Sequence, residues 1–133
     1  MTASVTSFFL DVEPMPSPRP RFRVIKGKFA SAYMPAKYKD RVNELVKQLQ
    51  QIKCEPRDGP LAVDLVFWCK KPKTSKLAHP KPDIDNYAKT VMDAITNAGN
   101  LWHDDTQVVR LVAEKQWAPE EGHIGTSVAI KAL

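Results

Sequence analysis

Three aspartates, Asp83, Asp85 and Asp105, have the type and spacing expected of metal ligands. Two belong to the run KPDIDN at 81–86, and the third belongs to the run HDDTQVV at 103–109. One short helical pattern separates the runs, so a compact fold can bring them together. Carboxylate oxygens are hard ligands that Mg²⁺ and Mn²⁺ prefer, and clustered carboxylates are costly unless a cation neutralises them. The three aspartates therefore predict a divalent-metal site.

A helix cap is the competing interpretation of the first two aspartates. If the chain is extended at Asp83 and Asp85, their i, i+2 spacing projects both carboxylates to one side, where their repulsion favours a bound cation. Aspartate is also common at helix N-termini, because it caps free N–H groups and suits the helix dipole. A cap explains Asp85, the predicted N-cap of the next helix, better than it explains Asp83. The residues by themselves leave both interpretations open.

The second acidic run is equally open, since Asp104 and Asp105 precede an apolar segment and could form a polar turn before a strand. Neighbouring residues in a strand point to opposite sides, so we expect only one of the two to join a shared metal site. His103 is expected at the surface, because carboxylate sites for hard cations rarely include a single histidine.

Lys89 lies one helical turn after Asp85, and Asp93 lies one turn after Lys89 on the same face. Lys89 is either an ion-pair partner of one of these aspartates or a group that contacts a phosphate and stabilises developing charge. The sequence contains no glycine-rich phosphate loop, GxSxG, HExxH or Cys/His nucleophile arrangement. The candidate chemistry is therefore that of carboxylates, a lysine and a metal ion.

Basic residues are concentrated in two segments on the N-terminal side of Asp83. The 133-residue chain has a formal net charge of +5, with ten basic and two acidic side chains in 19–53 and five lysines but no acid in 70–81. Each segment alone could be a solvated face, but two such segments near an acidic cluster favour a metal held against a polyanion. Together with the aspartates they predict a metal-dependent nuclease. The candidate DNA-binding residues are Arg19, Arg21, Arg23, Lys70, Lys71, Lys73, Lys76 and Lys81.

The composition, with 43% hydrophobic and 26% charged residues, is typical of a globular protein. No apolar run approaches the roughly 20 residues that span a bilayer, and no basic amphipathic helix has a broad aromatic face, so we expect no membrane partner. Cys54 and Cys69 lack CxxC spacing, which argues against a zinc site and suits a reducing cytoplasm. One domain over 1–133 is expected at this length.

Hydrophobic periodicity predicts an α+β fold in which two main helices pack on one mixed β-sheet. Apolar residues three or four apart mark a helix at 35–53 and a second from Asp85 to near Gly99, where glycine suits the C-terminal cap. A weak hairpin is expected to turn at Lys26 and Gly27. The predicted strands lie at 5–12, 61–68, 107–117 and 124–133, with an irregular basic loop at 70–82.

The segment 81–109 resembles the RusA-type Holliday junction resolvases. Their pattern is a DxDN motif, a lysine four residues after its second aspartate, a DA pair, a glycine, and a DD run that leads into QV. Upstream, PSPRPRF at 16–22 and YMPAKY at 33–38 resemble the N-terminal half of the family more loosely. The corresponding residues here are DIDN at 83–86, Lys89, DA at 93–94, Gly99 and LWHDDTQVV at 101–109.

The resemblance implies metal-binding catalytic carboxylates at Asp83, Asp85 and Asp105, with a catalytic or DNA-contacting lysine at Lys89. Asp105 is preferred to Asp104 because it directly precedes the x-Gln-Val-Val segment, although the stretch before it is one residue longer than in the family pattern. The resemblance also implies Mg²⁺ or Mn²⁺, a substrate of four-way junctions and other branched DNA, and the cytoplasm of a bacterial or phage-infected cell. A homodimer is implied because a four-way junction needs two matched cuts.

Two alternatives to a junction-resolving endodeoxyribonuclease remain at this point. The first is a non-catalytic, structure-selective DNA-binding protein whose carboxylates serve only as cap and turn. The second is a metal-dependent phosphohydrolase that acts on nucleotides. Cleavage of a junction in the presence and absence of EDTA separates these classes.

Overall fold

The computed structural model describes residues 5–18, 21–25, 29–33 and 35–133, with side chains described for 5–18 and 35–133. Two short 3-10 turns lie at Asp105–Gln107 and Glu121–His123. The strands and helices are β1 (Val5–Leu10), β2 (Arg21–Ile25), β3 (Phe29–Tyr33), α1 (Ala36–Gln50), β4 (Leu61–Cys69), α2 (Ile84–Ala98), β5 (Val108–Trp117) and β6 (Gly125–Ala132).

The main sheet contains four strands in the order β1-β6-β4-β5. Strands β4 and β5 are parallel, because α2 carries the chain back across the sheet between them, and the other neighbouring pairs are antiparallel. The predicted α+β fold with a mixed sheet and two helices is therefore confirmed. Since β4 and β5 run in parallel, the segment that leaves β4 towards α2 lies near the C-terminal end of β5.

Both helices bury their apolar stripes against one face of the sheet. The central strand β4 alternates as predicted, with Leu61, Val63 and Phe67 fully buried on the helix side and Asp64 exposed on the other. Trp102, in the connection from α2 to β5, is also fully buried, and its indole N–H donates to Thr96 Oγ1 at 2.9 Å. Burial of this residue anchors the second acidic run to the end of α2.

Helix α1 also holds the segment that follows β1. The side-chain amide of Gln48 accepts from the Asp11 N–H (2.9 Å) and donates to the Asp11 carbonyl (3.2 Å), as a neighbouring strand would. Arg41 donates to the Glu13 carbonyl at 2.7 Å. At the other end of α1, Asn100 donates to the carbonyls of Leu49 and Ile52, both at 2.8 Å. The two Asn100 contacts satisfy backbone carbonyls at and just beyond the end of α1. The helix ends at Gln50, three residues before the predicted boundary.

Strands β2 and β3 form a separate antiparallel pair in which Arg21 is opposite Tyr33. The hairpin prediction is confirmed for the strands, while its predicted turn at Lys26 and Gly27 lies outside the described residues. No helix in the described part of the chain is both long enough and apolar enough to cross a membrane.

Candidate active site

Helix α2 begins two residues earlier than its sequence pattern predicts. Asp83 is the N-cap, with extended backbone angles (φ −65°, ψ 137°), and its carbonyl accepts from the N–H groups of Asn86 (3.1 Å) and Tyr87 (3.3 Å). Asp85 therefore lies inside the first helical turn, and the prediction that it is the N-cap is wrong. The chain is also not extended through both aspartates, so strand alternation does not relate their carboxylates.

The side chains of the two aspartates differ in their local contacts. Asp85 Oδ1 accepts from the backbone N–H of Asn86 at 3.0 Å, in the first turn of α2. The exposed Asp83 carboxylate makes no capping hydrogen bond, although Asp83 occupies the N-cap position. Capping of N–H groups therefore does not account for the Asp83 side chain. The first turn is fixed from outside by Ser17, whose N–H donates to the Asn86 carbonyl at 2.9 Å.

The second acidic run folds into a 3-10 turn that separates its two aspartates. Asp104 is the N-cap of this turn; its backbone carbonyl accepts from the Gln107 N–H at 3.1 Å, and its carboxylate accepts from the Thr106 hydroxyl at 2.7 Å. In return, Gln107 Oε1 accepts from the Asp104 N–H at 3.0 Å, which completes a capping box. The Asp104 carboxylate is thus engaged in holding its own turn.

Gln107 holds the acidic turn in place, a role that its position in the family pattern did not predict. Besides its capping contact, its Oε1 accepts from the His103 N–H at 2.8 Å. Its Nε2 donates to the carbonyls of Arg57 (2.8 Å) and Gly59 (3.0 Å). One side-chain amide therefore fixes the acidic turn against the loop before β4. The sequence feature that could have indicated this role is a glutamine directly before an apolar strand, where its side chain can reach a neighbouring loop.

The structure brings the remaining candidates to one cleft of about 240 Å³ between α2 and β5. Because i, i+4 residues share a helix face, the first turns of α2 present Asp85 and Lys89 to the cleft together. Asp105 enters from the 3-10 turn. The cleft is lined by Asp85, Ala88, Lys89, Met92, Asp93, Asp105 and Leu111.

Asp83 does not line this cleft, and no three Asp, Glu, His or Cys side chains within the described ranges stand close enough to bind one metal ion. The donors that do share the cleft, Asp85 and Asp105, fit a hard cation. Mg²⁺ keeps several waters and is commonly bound through one or two carboxylates plus substrate phosphates. Two carboxylates therefore suffice for Mg²⁺ when a phosphate completes the coordination. The metal site with three aspartates remains a prediction.

The ammonium group of Lys89 is held on the helix surface by Asp93 rather than by Asp85. Lys89 Nζ lies 3.3 Å from Asp93 Oδ2, and the two side chains are 60% and 36% exposed. An exposed i, i+4 pair contributes only about 0.3–0.5 kcal/mol to stability. The pair thus leaves most of the lysine accessible to a ligand in the cleft.

The basic loop at 70–82 contains turns and bends without helix or strand, as predicted, and leads directly into Asp83. Pro80 is buried, and the Ser75 N–H closes a turn onto the Pro72 carbonyl at 3.0 Å. Arg19 lies outside the described residues, and the side chains of Arg21 and Arg23 lie outside them as well. The lysines of the loop, Lys70, Lys71, Lys73, Lys76 and Lys81, are all exposed.

A second cavity, of about 290 Å³, separates this loop from the end of the sheet. It is lined in part by Cys69, Tyr87 and Trp117. Burial raises the pKa of the Cys69 thiol and of the Tyr87 hydroxyl above their ordinary values, so both stay protonated and neutral at pH 7. Neither group is therefore a nucleophile in the candidate site at neutral pH.

The family of the chain follows from comparison with known proteins. The family model for endodeoxyribonuclease RusA matches residues 11–131, which include the cleft, the basic loop and every strand of the main sheet except β1 and the last residue of β6. No curated protein matches the chain. Because the family match spans nearly all of the sequence, the chain belongs to the RusA family of endodeoxyribonucleases, which resolve Holliday junctions.

Proposed function

We propose that this enzyme resolves Holliday junctions and related branched DNA by Mg²⁺- or Mn²⁺-dependent hydrolysis of phosphodiester bonds. The observation that carries the proposal is the cleft shared by Asp85, Lys89 and Asp105 beside an exposed lysine loop. Membership in a family of endodeoxyribonucleases removes the two alternatives, a non-catalytic DNA-binding protein and a nucleotide phosphohydrolase.

Asp85 and Asp105 are proposed to hold the divalent ion, with Asp83 as a third ligand. Their oxygens are hard donors, and no lysine, arginine or histidine among the described residues forms an ion pair with any of the three. The unused Asp83 carboxylate at the start of α2 supports its assignment as a ligand rather than a cap. When bound, the metal supplies charge neutralisation at the scissile phosphate and lowers the pKa of an attacking water.

Lys89 is proposed to stabilise negative charge on the scissile phosphate. Its ammonium is oriented by Asp93 at 3.3 Å and lines the same cleft as Asp85. Met92 and Leu111 contribute apolar surface to that cleft. Apolar walls lower the local dielectric constant, so the attraction between an ammonium and a phosphate is stronger there than in open water.

The basic segments are proposed to bind the phosphate backbone without reading base edges. The exposed lysines of the loop lead to Asp83 at the start of α2, the helix that carries Asp85 and Lys89 to the cleft, so a DNA strand bound along the loop would lie beside the cleft. Arg19, Arg21 and Arg23 are assigned the same role from sequence. Phosphate contacts fix position on the nucleic acid but carry no direct sequence information, so the shape of the junction determines selectivity.

We also propose that the enzyme is a homodimer that acts in the cytoplasm of a bacterial or phage-infected cell. Two matched cuts across a symmetric junction require two active sites. Strand β5 lies at the sheet edge with no outer neighbour among the described strands, and Val109, Leu111 and Val112 on it are 63%, 42% and 49% exposed. Exposed apolar side chains on an edge strand favour pairing with a second chain.

The proposal is tested with a four-way junction, a Y-fork and a plain duplex, each incubated with the protein in Mg²⁺ and in EDTA. We expect cleavage of the branched substrates in Mg²⁺ only. Asp85→Asn should abolish cleavage while junction binding persists, since it removes the charge of a proposed ligand, and even loss of a residue that only orients a metal ligand costs roughly 10- to 100-fold. Asp64→Asn makes the same chemical change on the exposed sheet face and is expected to match the wild type.

The possible outcomes separate the parts of the proposal. Failure of the wild type to cut either branched substrate would overturn the assigned reaction. Cleavage in EDTA would overturn metal dependence alone. Wild-type cleavage by Asp85→Asn in Mg²⁺ would remove Asp85 from the metal site and leave the substrate assignment intact.

A further inference from the structure

Lys115, on β5, lies outside both basic segments and outside the cleft, yet it faces the first acidic run. It pairs with Phe67 across the parallel ladder and therefore points to the same side of the sheet as that fully buried residue. Lys115 is itself half-buried. Because lysine is rarely buried without a partner, the contact that its ammonium makes requires a physical account.

The partner of Lys115 is a backbone carbonyl rather than a carboxylate. Its Nζ donates to the Pro82 carbonyl oxygen at 2.7 Å. Neither of the two ion pairs found among the described residues involves Lys115. A hydrogen bond from a charged donor at this length is roughly twice as strong as a neutral one. The contact therefore constrains the Pro82 carbonyl more firmly than an ordinary side-chain contact would.

The constrained carbonyl belongs to the peptide group that connects Pro82 to Asp83. The carbonyl of one residue and the N–H of the next share one rigid plane, so fixing the oxygen fixes the direction in which the chain enters Asp83. The Asp83 side chain makes no capping hydrogen bond that would hold it in another way. The position of its carboxylate thus depends on the backbone that Lys115 holds.

Trp117, two residues further along β5 on the same side, fixes the loop at a second point. Its indole N–H donates to the Leu77 carbonyl at 2.9 Å. Trp117 pairs with the buried Cys69 in the parallel ladder and therefore lies on the core-facing side of β5. The same side of β5 thus contacts both the core and the loop. With both contacts made, the part of the loop between Leu77 and Pro82 is attached to the rigid sheet at each end.

We propose that Lys115 is a positioning residue that aligns Asp83 with the metal site. The inference rests on the proposed function in one respect, because it takes Asp83 as a metal ligand. Lys115 does not line the cleft and is assigned no contact with the reacting atoms. Lys115 acts on the Asp83 carboxylate indirectly: it fixes the Pro82 peptide group, and that group fixes the direction of the chain at Asp83.

Positioning and simple charge make opposite predictions for metal binding. A lysine that acted only as a nearby positive charge would repel a divalent cation, and its neutralisation would tighten binding. A lysine that aligns a ligand should instead weaken binding when it is removed, roughly 10-fold by analogy with other residues that orient metal ligands. Mn²⁺ binding to the protein without DNA, measured by electron paramagnetic resonance of the free ion, gives the sign directly.

The experiment compares Lys115→Met, Lys115→Arg and Arg110→Met with the wild type. We expect weaker Mn²⁺ binding and slower cleavage at saturating junction for Lys115→Met. Lys115→Arg, which can donate to the same carbonyl, should recover most of both losses. Arg110 is exposed on the opposite side of β5, so Arg110→Met loses the same charge and should leave Mn²⁺ binding unchanged. Thermal unfolding establishes that each variant is folded, and Lys115→Gln replaces Lys115→Met if the latter is not.

Unchanged or tighter Mn²⁺ binding in the folded Lys115→Met or Lys115→Gln variant would overturn the inference, and so would an equal loss in Arg110→Met. Asp83→Asn serves as the reference for loss of the ligand itself. If the wild type binds Mn²⁺ but cuts no branched DNA, the proposed function fails, while the binding comparison still decides the role of Lys115. If Asp83→Asn binds Mn²⁺ as the wild type does, the assignment of Asp83 fails and the inference fails with it.

Discussion

Asp104 and Asp105 are adjacent in sequence but their carboxylates have different surroundings. Asp104 caps the 3-10 turn and accepts from Thr106 and Gln107. Asp105 lines the cleft with Asp85. The division supports the choice of Asp105 that rested on motif position alone, because the residue that holds the turn is not the residue that faces the cleft.

The two aspartates are therefore expected to separate on substitution. Asp105→Asn should reduce Mg²⁺-dependent cleavage by more than the roughly 10- to 100-fold that loss of a ligand-orienting residue costs, with little change in stability, since it removes a proposed ligand charge. Asp104→Asn should keep measurable turnover and lower the free energy of unfolding by about 1 kcal/mol at most, as for a weakened cap. Single-turnover cleavage and urea unfolding of both variants check this, and the reverse pattern would assign the metal to Asp104.

Lys89 is expected to affect chemistry far more than stability. Its exposed pair with Asp93 is worth under about 1 kcal/mol, whereas loss of a group that stabilises transition-state charge costs roughly 10²-fold or more in rate. Lys89→Ala should fold normally, bind junctions and cut them very slowly.

Asp93→Ala is the matched control for Lys89→Ala, because it breaks the same ion pair but keeps the ammonium. Single-turnover rates of the two variants should differ, with Lys89→Ala the slower. Equal rates would mean that cleavage requires the intact ion pair and not the ammonium alone. Cleavage at the wild-type rate by Lys89→Ala would mean that Lys89 has no role in the reaction.

The loop at 70–82 connects the proposed DNA-binding lysines to the proposed active site. Its lysines are exposed, while Pro80 is buried and two donors on β5 hold its second half. The loop therefore combines an accessible charged surface with fixed backbone near Asp83. This arrangement suits a segment that must bind phosphates without displacing a neighbouring ligand.

Charge removal in this loop is expected to weaken junction binding with little sequence dependence. Lys76→Ala should lower the slope of log K against log salt by about 1 if Lys76 contacts one phosphate. Lys131→Ala removes an exposed lysine on β6, outside the loop, and should leave the slope unchanged. Binding is measured in EDTA over several salt concentrations. Equal slopes for the wild type and Lys76→Ala would mean that Lys76 contacts no phosphate and is only a solvent-exposed surface residue.

At the scale of the whole molecule, the main sheet has helices on one face and an edge strand, β5, that carries exposed apolar residues. That strand also provides Leu111 to the cleft. A second chain bound along β5 would therefore lie beside the active site. This geometry supports a dimer in which the two cutting centres have a fixed relation.

The proposed dimer is expected to depend on β5. Val112→Asp places a charge in the exposed apolar edge and should convert the dimer to monomers, measured by light scattering. Val5→Asp makes the same change on β1, at the other edge of the sheet, where Val5 is 55% exposed against 49% for Val112, and should remain dimeric. A monomeric wild type would contradict the dimer, and an unaffected Val112→Asp would move the interface elsewhere.

The order and type of the elements could be predicted from the sequence, because hydrophobic periodicity is a local property of each segment. The alternation of Leu61, Val63 and Phe67 marked the central strand, and Gly99 marked the end of α2, where it adopts the left-handed conformation (φ 77°). The motif also indicated Asp85, Lys89 and Asp105, which the structure brings to one cleft.

Which side chains and backbone groups are held in place, and by which partners, depends on contacts between distant parts of the chain that form only in the fold. The start of α2 moved from Asp85 to Asp83 because the first turn closes on the Asp83 carbonyl, and a periodic pattern does not specify where that bond forms. The engagement of Asp104 depends on the 3-10 turn that Gln107 fixes through contacts with a loop nearly fifty residues away. The contact of Lys115 with Pro82 exists because β4 and β5 are parallel and in register, and that pairing joins residues that no local pattern relates.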